Sequence, residues 1–395
     1  MKKSTLLRVS AIAVSLAFVT AACGSDSDSS VTEDTVASEV TEDTAAAAVD
    51  GVTCEGVSIA FFGALSGDAG NLGKNIRAGA DLAVSEFNTA NPDCQVGLVD
   101  FDSQGDPAQA PALAQKAIDD AGILGIVGPA FSGESKAANP LFDAAGLAII
   151  TPSATNADLN DNNWKVFHRA LAGDDKQGPA IATYIQKTLA AAKVGVIDDA
   201  SEYGKGLADI VKTTLGDAVV ASDSIDPKAA DFSAAVSKMK EAAPDAIFYG
   251  GYYAEAGKLA KQLRDAGVTA TLVFGDGVKD QAGYADAAGP AAEGALIACP
   301  CKDGSADFTA AWQAANGEVP GTYGAEYYDA ANVLLNIIKA GAKDRAAVLA
   351  AVKAYDAPGI TKQIKFTANG EATEASTIYM YKVTDGKITY VADIK

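Results

Sequence analysis

Histidine is almost absent from this chain: there is one, His168. One imidazole cannot build a histidine-rich metal centre. It leaves a single candidate base for a Ser-His-Asp triad, and nothing in the sequence brings His168 near a serine. It reads as a structural residue of the KVFHR segment. No HExxH is present. The segment around Ser135 reads GESKA, not the G-x-S-x-G of a nucleophile elbow. The glycine cluster Tyr249–Tyr253, YGGYY, lacks the Lys-Ser/Thr pair of a phosphate-binding loop. Basic residues are scarce too, 31 against 51 acids, for a net charge of −20. That argues against nucleic acid, which needs basic surface. No apolar run reaches the roughly 20 residues that span a bilayer. Cysteines number five. No metal and no cofactor is read from the sequence.

The N-terminus carries what a processing signal needs. Lys2, Lys3 and Arg8 form a basic start, Val9–Val19 is a short apolar stretch, and Thr20-Ala21-Ala22-Cys23 follows. The stretch is too short for a membrane helix, so residues 1–22 read as a removed export signal. The segment resembles a bacterial lipoprotein signal, in which the cysteine is lipidated and becomes the first residue. On that resemblance Cys23 is a membrane anchor and the protein is extracytoplasmic, although Thr20 stands where that pattern usually has Leu. Residues 23–50 then form an acidic tether without Lys, Arg or an aromatic residue. Such a stretch cannot bury enough apolar surface to offset its ordering entropy.

From Gly51 onward the composition is that of a globular protein long enough for two domains. Short β-branched runs alternate with amphipathic stretches, the pattern of parallel sheets covered on both faces. Strand runs are Val57–Phe62, Gln95–Phe101, Ile123–Val127 and Leu147–Ile150, with helices predicted over Lys74–Asn88 and Pro107–Ala121. A second series follows. Helices are predicted over Pro179–Leu189, Tyr203–Leu215, Phe232–Ala242 and Ala254–Ala266. Strands are predicted over Lys193–Asp198, Val219–Ser224, Asp245–Tyr252 and Thr271–Gly277. Tyr327–Ala340 and Arg345–Ala354 read as late helices. A hairpin closes the chain over Asp385-Gly386. The fold class is α/β: two doubly wound lobes with a ligand cleft between them.

Three loops carry the chemistry. Gly128–Ser135 (GPAFSGES) and Thr151–Thr155 (TPSAT) place small hydroxyl residues just past two buried strands. Ligands of open α/β sheets bind at such strand ends, and free N–H groups at a helix start suit an anion. The third loop, Phe274–Gly277 (FGDG), offers one carboxylate, Asp276. Hydroxyls and amides for an anion, with an acid for a cation, match an amino-acid zwitterion.

Cys54 and Cys94 each precede a strand run. If those strands are parallel neighbours, both cysteines sit at one end of the sheet, within bridging reach, and export permits the disulfide. Cys299 and Cys301 either form a small ring or remain thiols.

GALSG (Gly63–Gly67), VGPAFSGES, TPSATNADL (Thr151–Leu159), DDKQGP (Asp174–Pro179), EYGKGLA (Glu202–Ala208), FYGGYYAEAG (Phe248–Gly257) and FGDGV (Phe274–Val278) occur in one order. In that order and spacing the chain resembles the leucine/isoleucine/valine-binding proteins, the extracytoplasmic solute-binding components of ABC importers. The resemblance implies a type I periplasmic-binding fold with crossing hinge segments. It assigns residues 51–173 plus about 300–375 to an N-terminal lobe, and 174–299 plus about 376–395 to a C-terminal lobe. It implies a small-molecule ligand, an ABC permease as partner and no catalysis. Carried over by position, Ser132 and Thr155 offer hydroxyls to the ligand's carboxylate and part of its amino group. Ser153 offers its backbone, Asp276 pairs with the ammonium, Tyr203 and Tyr252 cover the ligand, and Ala154 is placed among the ligand-binding residues. Leu72 belongs to the side-chain pocket, and Phe131 is placed among the ligand-binding residues. Asp276 is one methylene shorter than the family's usual Glu, and Leu72 replaces a frequent aromatic. Relatives on the same fold take amides, urea or aromatic acids. The rival readings are a sensory ligand-binding module, which usually continues into a transmembrane segment that is not seen here, and a secreted α/β hydrolase.

Overall fold

A computed structural model describes residues 53–394. The signal segment, Cys23 and the whole of the tether lie outside the described residues.

The first lobe is built from β1 (Ser58–Gly63), α1 (Gly70–Ala90), β2 (Gly97–Asp102), α2 (Ala110–Asp119), β3 (Ile123–Val127), α3 (Ser132–Ala145), β4 (Ala148–Thr151) and β5 (Phe167–Arg169). The five strands are parallel, in the order β2-β1-β3-β4-β5. β3 and β4 are buried along their whole length, as the unbroken ILGIV and AIIT runs require of central strands covered on both faces. The edge strand β2 is half-exposed.

The second lobe contains α4 (Asp174–Thr183), β6 (Val194–Asp198), α5 (Glu202–Leu215), β7 (Val219–Ser224), α6 (Ser233–Ala242), β8 (Ala246–Gly250), α7 (Tyr253–Asp265), β9 (Thr271–Phe274) and β10 (Leu296–Cys299). Its parallel strands run β10-β9-β8-β6-β7. The chain then returns to the first lobe through α8 (Ala306–Asn316), α9 (Gly324–Lys339) and α10 (Arg345–Lys353). There α9 packs on α1, and α10 lies against β3 and β4. A short ribbon of β11 (Asp356–Pro358) and β12 (Gln363–Lys365) follows. The hairpin β13 (Ile378–Thr384) and β14 (Lys387–Ile394) then joins the second sheet, antiparallel, beside β10. The chain therefore passes between the lobes three times: between β5 and α4, after β10, and before β13.

Helix ends follow local chemistry. Gly146 ends α3 in the left-handed conformation, its N–H closing back on Asp143. Ser201 caps α5 by accepting the Gly204 N–H. Two differences from the sequence reading fall in the second lobe. The predicted start at Pro179 is wrong, because α4 begins five residues earlier, at Asp174. Proline is favoured in a helix's first turn, but here it sits inside and gives up a backbone bond. The second sheet is mixed rather than purely parallel, because the hairpin pairs with it.

Cys54 and Cys94 are joined, with Cα atoms 4.5 Å apart. They precede β1 and β2, which are parallel neighbours. Cys299 and Cys301 are also joined, at the second lobe crossing.

Candidate functional site

Three loops meet where the lobes face each other. In the first, β3 gives way to Gly128 and α3 starts at Ser132. The Phe131 N–H there is taken by the Glu134 side chain at 3.2 Å. Glu134 is fully buried, and burial raises its carboxyl to about 8. In the second, β4 ends at Thr151, whose hydroxyl donates to the Pro129 carbonyl at 2.8 Å and accepts the Ala154 N–H at 3.1 Å. The two loops are thus stitched together. Ser132 Oγ accepts the Asn156 N–H at 3.2 Å, and Ser153 Oγ donates to the Ala130 carbonyl at 2.7 Å.

Arg169 at the end of β5 holds the second loop from behind. It is 1% exposed. Its Nη1 donates to the carbonyls of Thr155 (2.9 Å) and Asn156 (2.7 Å), while Nε and Nη2 grip Glu371 at 3.0 and 2.5 Å. With the carbonyls turned to Arg169, no protein acceptor among the described residues takes the backbone N–H of Ser153 or Thr155.

The opposite wall belongs to the second lobe. Asp276, just past β9, is 4% exposed. One carboxylate oxygen accepts from Gln177 Nε2 at 2.7 Å and from Tyr203 Oη at 2.8 Å. The other accepts from Tyr323 Oη at 2.6 Å. Burial raises its carboxyl, and these three donors oppose the rise. Burial also holds both tyrosines well above their usual range, so they remain donors. Gly277 must be glycine, since a Cβ there would lie 2.7 Å from the Gly251 carbonyl and 2.9 Å from the Tyr203 ring.

Leu72, Phe131, Ser132, Ser153, Tyr203, Tyr252 and Asp276 meet around one small cavity. The Phe131 and Tyr252 rings, from opposite lobes, stack edge-on at 5.5 Å, and Tyr203 lies 5.2 Å from Tyr252. The cleft is closed. Ala154 and Thr155 are fully buried but do not line the cavity. The Ala154 N–H is already spent on Thr151, and no protein group pairs with the Thr155 hydroxyl. Tyr323, Ala130 and Gly277 line the cavity and were not foreseen. Gln177 was part of a quoted motif but had no role. Tyr323 could not be found from spacing, because it stands at the start of α9, 47 residues beyond its partner Asp276.

Among the described residues, no cluster of three or more His, Cys, Asp or Glu side chains is arranged to hold a metal, and no helix is long and apolar enough to cross a membrane.

Two α/β lobes crossed three times by the chain, and closed on a cavity with hydroxyls on one wall and an acid on the other, define a two-lobed small-molecule-binding protein. Comparison with known proteins agrees. Residues 56–387 match the family described as periplasmic binding protein. The Leu/Ile/Val-binding protein BraC3 of Rhizobium johnstonii is 33% identical over 344 residues, 84% of this chain and 93% of its own. The leucine-, isoleucine-, valine-, threonine- and alanine-binding protein of Pseudomonas aeruginosa is 30% identical over 325 residues, 80% of this chain and 87% of its own. Among solved structures, the branched-chain amino acid transporter substrate-binding protein LivJ of Streptococcus pneumoniae, in complex with isoleucine, is 31% identical. It superposes with a TM-score of 0.79 over 86% of this chain and 99% of its own. The chain belongs to the periplasmic binding protein family.

Proposed function

We propose that this protein is the solute-binding component of an ABC importer, and that it captures an aliphatic amino acid between its lobes for delivery to the permease. The observation that carries the reading is Asp276, a buried carboxylate met by three neutral donors and, among the described residues, paired with no cation. An isolated charge in such a place is costly without a counter-charge, and a ligand ammonium supplies one. Ser132 and the backbone of Ser153 take the ligand's carboxylate on the facing wall. Leu72, Phe131 and Tyr252 cover the side chain. Relatives named for leucine, isoleucine and valine binding support the same ligand class. Residues 51–173 with about 300–375, and 174–299 with about 376–395, act as the two moving bodies. Cys23 carries lipid after export and holds the protein at the outer face of the cell membrane.

A thermal-shift screen over the amino acids, with amides, urea and benzoate as controls, tests the reading. A ligand at 100-fold its dissociation constant adds about 2.7 kcal/mol of stability, a readable shift. Leucine, isoleucine or valine should give the largest. A shift with amides or benzoate alone would overturn the ligand class.

A further inference from the structure

A second buried acid, behind the cavity lining, acts electrostatically with Asp276. Asp174 begins α4, is 0% exposed, and neither carboxylate oxygen makes a well-formed hydrogen bond to a donor among the described residues. Its backbone N–H donates to the Thr155 carbonyl at 2.8 Å, which ties it to the hydroxyl-bearing loop. Thr155 Oγ1 and Gln177 Oε1 are likewise buried and unpaired. The Asp174 and Gln177 oxygens only accept, so what they lack is a donor, and for the carboxylate the strongest donor is one that carries positive charge.

The protein does not supply it. The charged groups that act on Asp174 are Asp276 from the β9 loop, Asp175 on its own helix and Arg169 from β5. Arg169 is already spent on Glu371 and on the carbonyls of the second loop. Lys176 pairs with Asp175. Tyr203 and Tyr252 complete the polar surroundings, and both feel the Asp174 charge. Two buried carboxylates that act on each other do not readily both ionise. Asp276 has three donors and is the anion. Asp174 has only the Thr155 hydroxyl and the already engaged Arg169 to oppose burial and the Asp276 charge, which drive its carboxyl well upward.

We propose that Asp174 is a second acid of the ammonium subsite, that it carries a proton while the protein is empty, and that capture of an amino acid expels that proton. The carboxyl O–H bond breaks, the proton goes to solvent, and the new carboxylate balances the charge that the ligand's ammonium brings in. This rests on the amino-acid reading. A ligand of the same shape without an ammonium would leave the proton in place, so Asp174 makes the site sensitive to the ligand's charge and not only to its form.

The test is calorimetric titration of the whole chain with L-isoleucine at pH 6.5, in phosphate, PIPES and imidazole buffers. The slope of observed heat against buffer ionisation enthalpy counts the protons exchanged. Release approaching one proton per ligand is expected, with affinity rising by up to tenfold per pH unit where Asp174 titrates. In Asp174→Asn, binding should persist more weakly, release no proton and lose that pH dependence. Asp174→Ser serves if the Asn variant fails to fold. Binding without proton release in the parent, or equal release from either folded variant, overturns the proposal while leaving the amino-acid reading intact. No binding of L-isoleucine, L-leucine or L-valine overturns both.

Discussion

The Asn156 side-chain amide donates to the Glu202 carbonyl across the cleft at 2.6 Å. Asn156 belongs to the loop after β4, Glu202 to the start of α5, so the bond exists only when the lobes are shut. Lys136 and Glu202 form an ion pair across the same gap at 2.5 Å, and Tyr253 Oη donates to the Asp68 carbonyl at 2.6 Å. The ion pair is exposed and contributes little. Asn156, at 3% exposure, matters more.

Asn156→Ala should weaken ligand binding although Asn156 does not line the cavity. A net hydrogen bond contributes about 0.5–1.5 kcal/mol, so the loss should be roughly 2- to 12-fold in affinity. Solution scattering should show a larger radius of gyration for the unliganded variant. Unchanged affinity and radius would mean that this bond does not hold the lobes together.

Asp276→Asn keeps the shape and removes the charge. Truncating one partner of a buried charge pair typically costs about 2–5 kcal/mol, so isoleucine or leucine should bind at least tenfold more weakly by calorimetry. Tyr323→Phe removes one of the three donors and should cost only a few-fold. If Asp276→Asn bound as tightly as the parent, the ligand would not carry an ammonium.

Removing the disulfide between Cys54 and Cys94, by replacing both with Ser, opens a loop of sequence separation 40. Chain entropy puts the loss at about 4 kcal/mol as an upper value. Urea denaturation should show a drop of 2–4 kcal/mol with ligand affinity nearly unchanged, because the bridge sits away from the cavity. A change below 1 kcal/mol would mean that the unfolded chain is already compact there.

Much of this was legible because the informative segments are local. ILGIV and AIIT carry their burial in composition, and the hydroxyl loops directly follow them. Cys54 and Cys94 were placed by the strands they precede. The tertiary partners were not legible. Arg169 meets Glu371 over a separation of 202 residues, and no period or motif connects them. Tyr323 reaches Asp276 only because the chain has crossed back between the lobes. β5 escaped because three residues are too few for an alternating pattern, and α8 because ADFTAAWQAAN is dominated by alanine. The roles of Asp174 and Gln177 depend on which buried atoms lack partners, which no sequence pattern records.

Two buried groups should shape stability against pH in opposite senses. Burial lowers His168 to about 4, while its Nδ1 donates to the Val166 carbonyl at 2.9 Å. Between that value and the unfolded value of about 6.5, the unfolded chain holds the extra proton. The His168 contribution is therefore present above pH 6.5 and is lost as pH falls through 4. Glu134 is raised to about 8 from 4.5. Its folded form keeps a proton that the unfolded chain gives up, so its contribution is present below 4.5 and is lost as pH rises through 8. From pH 6.5 to 8 only Glu134 of this pair acts, at no more than about 1.4 kcal/mol per pH unit. Glu134→Gln keeps an acceptor for the Phe131 N–H and cannot ionise. It should gain on the parent as pH rises across that interval, by up to about 2 kcal/mol in urea denaturation. A stability difference that stays constant between pH 6.5 and 8 would show that Glu134 ionises within the folded protein.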